Sequence, residues 1–427
     1  MTPKSRKILF LIFLLMFLLA APTIILYSQG YRLNLSNGGG KMLVKTGGLF
    51  VKVYPKQSEV YIDGKLAEKT DLFFGSALVE NLLPKKYSIE IKKDGYYAWQ
   101  KSLDVSEKEV TEAKYVTLLP QNPQFDRAAE NISRFWPSPD GKKIVFYEDG
   151  GDGWKLTLFD VEKNLKSQMV SEDDVYLGGA DLLALEWADD STNINLKAGL
   201  KEGEKLYNLS VEKFPPQLKK IDAPPLPANT LAHAKTADAY YYLDSGGFVY
   251  KKGVAGGTAA KISQKPITVQ EVEYKLWYFG QTLFLKDDKG LYTLDQSASE
   301  FTKIFDGVIT DLKLSPDGRK LEYFTGSEIW VYFLQDITDE PKKSAGDKLF
   351  IVRLSEKITD CYWLNPDYLV FSSGGNIKVA EIDERDKFNI VDLAKFSGGT
   401  NLAISWDPNL KNLFVLDNGT LYKSTID

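Results

Sequence analysis

The chain is expected to fold as an all-β protein carried on one N-terminal helix, and three features of the sequence lead there. Ile8 to Leu26 is a run of nineteen residues without a charge. From Thr46 onward, short apolar stretches alternate with Gly, Pro, Asn and Asp turns and show almost no helical period. The tetrapeptide Ser-Pro-Asp-Gly occurs twice, at Ser138 to Gly141 and at Ser315 to Gly318, each time followed by a basic pair and an apolar run. The aromatic content of 13%, with 23 Tyr, 23 Phe and 8 Trp, fits strands better than helices. At 427 residues the chain calls for more than one core.

The apolar run comes first. At ~1.5 Å per residue it is long enough to cross a bilayer. A cleavable signal peptide competes, because "LLAAPT" (Leu18 to Thr23) offers small residues. The run continues through Ile24, Ile25 and Leu26, longer than the ~7–15 residues of a signal core, so an uncleaved transmembrane helix over residues 8–27 is favoured. Lys4, Arg6 and Lys7 make residues 1–7 a basic tail that stays in the cytoplasm, which leaves everything after Tyr27 outside the cell membrane. The net charge is −5 even with those three cations, so the rest is acidic and a poor partner for nucleic acid.

Residues 28–45, with Asn37 and Gly38 to Gly40, read as a tether. The piece "GGGKM" is not a phosphate loop, since Leu35 stands where a Gly is required and Met42 replaces the Ser or Thr. A compact β-module follows. Leu49 to Tyr54 and Glu59 to Ile62 are strands, Asp63-Gly64 is a hairpin turn, and Tyr87, Ile89 and Ile91 alternate inward against Ser88, Glu90 and Lys92. About 70 residues of such strands make a small sandwich. Pro55, Val60-Tyr61-Ile62, Asp63-Gly64-Lys65, Thr70 and "LLPKKYSIEIKKDGYYAW" resemble the PEGA domain, a β-sandwich of prokaryotic surface and membrane-anchored proteins, over residues 46–119. Gln57-Ser58, Thr70-Asp71 and Lys85 depart from its usual pattern. The resemblance implies a fold and brings no active site.

Past the hinge Leu118 to Gln124, residues 125–427 repeat one plan: a strand, a turn, a strand, a second hairpin and a third strand. Ser138 and Ser315 lie 177 residues apart, four times the ~44 residues of a four-stranded propeller blade. Further copies begin at Leu182, Ala232, Lys275 and Ile358, and "LAISWDPNLKNLFVLDNGTLYKSTI" ends the chain, giving seven blades, with six or eight left open. Pro sets φ near −65° in these turns, Asp bonds back to its own backbone, and Gly accepts positive φ. The Ser-Pro-Asp-Gly turns are therefore expected to join strands and not to catalyse. They resemble TolB-like and WD-like β-propeller repeats, with specificity at Ser138 to Gly141 and Ser315 to Gly318.

Catalytic constellations are sparse. Cys361, the single cysteine, sits in a strand pattern that reads as a buried hydrophobe, and His233 is its one conceivable partner. Lys45-Thr46-Gly47 and Ser210-x-x-Lys213 imitate penicillin-binding motifs in reversed order and in different β-regions. Glu148, Asp149 and Asp152 among glycines suggest at most a weak ion site in an acidic hairpin. "SEDD" at Ser171 to Asp174 reads as an inter-blade loop, and the Pro-rich stretch from Phe214 to Pro227 as the crossover between the second and third blades. The aromatic groups Tyr240 to Leu243 and Leu276 to Phe279 are assigned to inter-blade packing ahead of sugar stacking. Glycosylation sequons start at Asn34, Asn131, Asn208 and Asn418.

The expectation is a non-enzymatic, single-pass protein of the cell envelope, without cofactor, metal or nucleic acid. Its propeller would bind a protein, peptide or cell-wall glycan in a scaffold or assembly role. The alternative is a propeller hydrolase or lyase with a carboxylate site at the channel mouth.

Overall fold

A computed structural model describes residues 3–28, 30–33, 43–151, 153–177, 179–188, 190–213, 215–295, 299–398 and 402–426. The N-terminal helix runs from Pro3 to Ser28, so most of the basic tail is its first turn. Its segment Arg6–Ser28 is long and apolar enough to cross a membrane, with mean hydropathy 2.9, and none of it is buried against the rest of the chain. The segment expected to be a tether contributes a two-stranded ribbon, in which Tyr31–Leu33 pairs antiparallel with Leu43–Lys45. Leu43-Val44 supplies the β-forming residues, and the Thr46 N–H donates to Gly30 O at 2.9 Å. The guanidinium of Arg32 lies 3.5 Å from the centre of the Tyr27 ring, tying the helix end to this ribbon.

The sandwich has two sheets. One places Gly47–Tyr54 between Ser76–Leu82 and Val110–Thr117, the latter parallel to it. The other runs Lys65–Lys69, Glu59–Ile62, Lys85–Lys92, Trp99–Val105. Leu49, Val51, Val60, Ile89, Ile91 and Trp99 meet between them. Tyr87, Ile89 and Ile91 point inward, as their alternation requires.

Among the described residues, seven four-stranded sheets follow. We number them as blades 1 to 7, at 134–171, 181–221, 230–261, 275–306, 311–353, 358–395 and 403–425, with strands A to D from the channel outward. Blade 7 supplies three strands from the C-terminus, and Asp126–Glu130 pairs with its last strand, Thr420–Thr425, as the fourth. The ring is thus closed by joining the two ends of the propeller segment. Strand B of most blades lies between two neighbouring blades and is buried on both faces. Lys320–Phe324, Tyr368–Ser373 and Asn412–Asp417 are buried at every position, which explains the continuous apolar runs of Tyr368–Phe371 and Leu413–Leu416, while Lys320 and Glu322 are charges buried in the first.

Shared apolar clusters seal the blade contacts. Phe146 meets Phe414 between blades 1 and 7. Val145 meets Leu196 between blades 1 and 2. Others join blades 3 and 4, 4 and 5, 5 and 6, and 6 and 7. Among the described residues no such cluster joins blades 2 and 3. There, Glu186, Asn195, Asn208 and Lys219 form one row across blade 2, opposite a row of His233, Tyr242, Tyr250 and Lys261 on blade 3.

Both Ser-Pro-Asp-Gly copies are A-to-B turns. Ser138 Oγ donates to Asp140 Oδ1 at 2.6 Å and Ser315 Oγ to Asp317 Oδ1 at 2.5 Å, while Gly141 and Gly318 hold φ of 71° and 69°. Two expectations need correction. "SEDD" contains a helical turn, Glu172–Val175, because Asp174 Oδ2 accepts from both Ser171 N and Ser171 Oγ. The Pro-rich crossover is shorter than expected: Leu218–Ile221 lies between its prolines and forms strand D of blade 2.

Candidate binding channel

Strands A of blades 1 and 2, 3 and 4, and 6 and 7 touch at the inner side of the ring. A cavity of about 660 Å³ opens there, lined by Arg134 and Trp136 of blade 1, Glu186 and Trp187 of blade 2, and Asp360 and Tyr362 of blade 6. Indole N–H groups tie strands A together from blade to blade. Trp187 Nε1 donates to Trp136 O at 2.9 Å, and Trp363 Nε1 donates to Lys313 O at 3.2 Å.

Charge of both signs follows the wall. Lys275 Nζ is 3.5 Å from Asp311 Oδ1, and Lys313 Nζ is 3.0 Å from Asp311 Oδ2. Lys313 Nζ also donates to Cys361 O at 2.8 Å and lies 3.7 Å from Glu322 Oε1. Burial pulls the Lys313 ammonium down, but Glu322, Tyr362 and Asp311 outweigh it and hold its pKa above the ordinary value. Burial pushes Glu322 up to about 8 against the pull of Lys313, and neither carboxyl oxygen has a hydrogen-bond partner. Burial likewise raises Asp360 to about 6, although Ile404 N donates to its Oδ2 at 2.9 Å. Glu322 is wholly buried behind the wall, so the side chains that reach the cavity are Arg134, Glu186 and Asp360 beside Trp136, Trp187 and Tyr362, a mixture of charge and aromatic rings suited to polar and aromatic groups.

The residues that the sequence singled out for chemistry disperse in the fold. Cys361 is fully buried on blade 6, its thiol pushed up by burial, and His233 stands on blade 3, so no dyad forms. Thr46-Gly47 enters the sandwich and Ser210 ends a strand of blade 2, far apart in the fold. Glu148 pairs with Lys155 at 2.8 Å across a hairpin, and Asp152 lies outside the described residues. Among the described residues no group of three or more His, Cys, Asp or Glu could hold a metal ion. Tyr240 to Leu243 are all buried, and Tyr241 stacks on Tyr278 of blade 4 with ring centres 4.5 Å apart. Those aromatics pack between blades.

The sandwich and the propeller meet in a polar lock that the sequence pattern alone did not reveal. Lys101 Nζ donates to the backbone oxygens of Asp383 at 2.8 Å and Arg385 at 2.9 Å and pairs with Glu381. Trp99 Nε1 donates to Glu381 Oε2 at 2.7 Å, and Asn389 N to Glu381 Oε1 at 2.8 Å. Above the lock, Thr117 N donates to Tyr368 OH at 3.0 Å.

Comparison with known families decides the smaller body. The family model described as "PEGA domain" matches residues 46–120. This segment is a PEGA domain. No curated protein matches the chain. Among solved structures, the β-propeller domain of Cps50 (Swd1) from Myceliophteria thermophila is 13% identical, covering 72% of this chain and 100% of that one, with TM-score 0.45. YCF48 from Cyanidioschyzon merolae is 11% identical, covering 70% and 98%, with TM-score 0.45. The ring itself rests on the strand pairing of this chain.

Proposed function

We propose that this is a single-pass protein of a prokaryotic cell envelope. The N-terminal helix anchors it, the basic residues before the apolar run stay in the cytoplasm, and the PEGA domain holds the propeller outside as a fixed platform. The channel binds a protein or peptide partner. One observation carries this reading: a cavity of about 660 Å³ whose wall combines Arg134, Glu186 and Asp360 with Trp136, Trp187 and Tyr362. That volume lies within the range of ligand sites, and mixed charge with aromatic rings supplies hot-spot chemistry. The positive-inside rule supports the orientation.

The test uses the full chain as bait on detergent-solubilised envelope, beside a Glu186→Ala/Asp360→Asn variant and isolated wall glycan. A stoichiometric protein partner lost in the variant supports the reading. Retention on glycan alone, turnover of a hydrolase substrate lost in the variant, or failure of protease added to intact cells to reach the propeller overturns it.

A further inference from the structure

The loop Asp71 to Gly75 of the PEGA domain sets three apolar side chains in solvent: Leu72 is 58% exposed, Phe73 76% and Phe74 74%. It is held in one shape. Asp71 Oδ1 accepts from Phe73 N at 2.7 Å and Phe74 N at 2.6 Å, and its Oδ2 accepts from Ser76 N at 2.8 Å and Ser76 Oγ at 2.6 Å. Lys56 Nζ donates to Phe73 O at 2.7 Å. Gly75 has φ +69, and a Cβ there would meet Val53 O at 2.4 Å. Holding a Leu-Phe-Phe tip rigidly in water costs hydrophobic free energy that a partner would recover.

The tip adjoins a second apolar feature. Val53 N donates to Gly75 O at 2.8 Å, and the next residue, Tyr54, lines a cavity of about 400 Å³ at the propeller's A-to-B turns. Its other walls include Pro316, Pro366 and Pro408 from blades 5, 6 and 7, Trp406, and Lys411 at the mouth. Among the described residues Lys411 is the one charged side chain in that lining. Lys93 Nζ donates to Lys56 O at 2.5 Å, so ammonium groups also flank the tip, while the Asp71 carboxylate is turned into its own loop. Lys56, Lys93 and Lys411 thus place ammonium groups beside the tip and the cavity.

On the reading proposed above, the bilayer lies at the other end. The helix is tied to the sandwich at Thr46, and the strand from Gly47 to Val53 puts the tip roughly 20 Å further on. We propose that the Leu72-Phe73-Phe74 tip and the adjoining cavity dock an acidic, apolar segment of a second protein. The segment's apolar residues cover the tip and enter the cavity, and its carboxylates face Lys56, Lys93 and Lys411. This surface is separate from the channel, so either can fail alone.

The test places a photo-crosslinking phenylalanine analogue at Phe73, and separately at Pro366, in the full chain within its own membrane. The adducts are then sequenced. Both positions are expected to capture one and the same protein segment, with Asp or Glu flanking its apolar residues. Lys93→Glu/Lys411→Glu is expected to cut both adducts about fivefold or more, and Phe74→Ser to cut the Phe73 adduct. Each variant is checked for an unchanged thermal melt, and Lys205→Glu, on blade 2 of the propeller, serves as a second control that leaves the yield unchanged. Lipid adducts alone, different proteins at the two positions, no adduct, or a yield indifferent to charge reversal overturns the proposal.

Discussion

Lys101 Nζ lies 2.7 Å from Glu381 Oε1, with the two side chains 0% and 3% exposed, one from the PEGA domain and one from blade 6. A buried pair of this kind is costly to break, because the surviving charge keeps its desolvation penalty without its partner. Here the loss of Lys101 also strands backbone oxygens of the loop after Glu381.

Lys101→Met should therefore destabilise the chain by about 3–5 kcal/mol, read from chemical denaturation of the full chain. The linker near Leu118 to Gln124 should become a preferred site of limited proteolysis. Adding Glu381→Gln should return part of the stability, since a neutral amide can still accept from Trp99 and tolerates burial better than a lone charge. Equal stability of Lys101→Met and the parent would mean that the two bodies are not locked.

The repeated tetrapeptide offers a paired test. Gly141 and Gly318 occupy the same position of the same turn, with φ of +71 and +69. A Cβ on Gly318 meets nothing within 4 Å, whereas one on Gly141 would fall 1.8 Å from Asp407 Oδ2. Asp407 is 4% exposed and its Oδ1 accepts from Asn409 N at 2.9 Å, so it has little room to retreat. Gly318→Ala should cost about 1–2 kcal/mol, the penalty of left-handed backbone alone, and Gly141→Ala distinctly more. Indistinguishable melting temperatures would mean that Gly141 and Asp407 do not press together between blades 1 and 7.

These two turns also mark how far the fold is legible in the sequence. Ser-Pro-Asp-Gly and its variants announce a turn through local chemistry, so the blades and their spacing can be read. What each turn touches across the ring is set by residues hundreds of positions away, as with Asp407 and Gly141. Ring closure is hidden for the same reason: Asp126–Glu130, "DRAAE", has no apolar alternation and is defined only by its pairing with Thr420–Thr425. For the interdomain lock a signal is present. In Trp99–Val105 the inward positions are Trp99, Lys101, Leu103 and Val105, and a lysine there demands buried acceptors. Its partner, Glu381, cannot be named from the sequence. Glu322, inside the wholly buried strand Lys320–Phe324, leaves a similar trace.

Glu322 should make stability depend on pH. Burial raises its folded pKa from the ordinary 4.5 to about 8, so between those values the native chain holds a proton that the unfolded chain has released. Stability linked to this group is therefore greatest below 4.5 and declines as pH rises through that window, levelling off above about 8. The total effect is on the order of a few kcal/mol. Glu322→Gln should flatten the decline between pH 5 and 8 in denaturation curves while leaving the far-ultraviolet spectrum unchanged. A parent and variant with parallel pH profiles would show that Glu322 is ionised in the native ring.

The contact between blades 2 and 3 should be the first part of the ring to open. Elsewhere a buried apolar cluster holds each pair of blades, and burying one large side chain contributes about 1.5–3 kcal/mol. At this seam the facing rows are Glu186, Asn195, Asn208 and Lys219 against His233, Tyr242, Tyr250 and Lys261, and Asn195 is exposed although it lies on a strand B. Asn208 Nδ2 donates to Asn195 Oδ1 at 3.0 Å within its own blade, not across the gap. Among these side chains only Tyr242 is buried, and water can replace the polar contacts at little cost, so local opening here requires less free energy than at the blade 5–blade 6 contact, where Phe324 and Phe371 are sealed. Native-state hydrogen exchange should show amides of Asn193–Leu200 and Ala239–Asp244 exchanging ahead of those in Lys320–Phe324 and Tyr368–Ser373. Because Glu186 also lines the channel, a ligand bound there should slow exchange at the seam more than anywhere else in the ring. Uniform protection around all seven blades, with or without ligand, would mean that the polar rows hold as firmly as the apolar clusters.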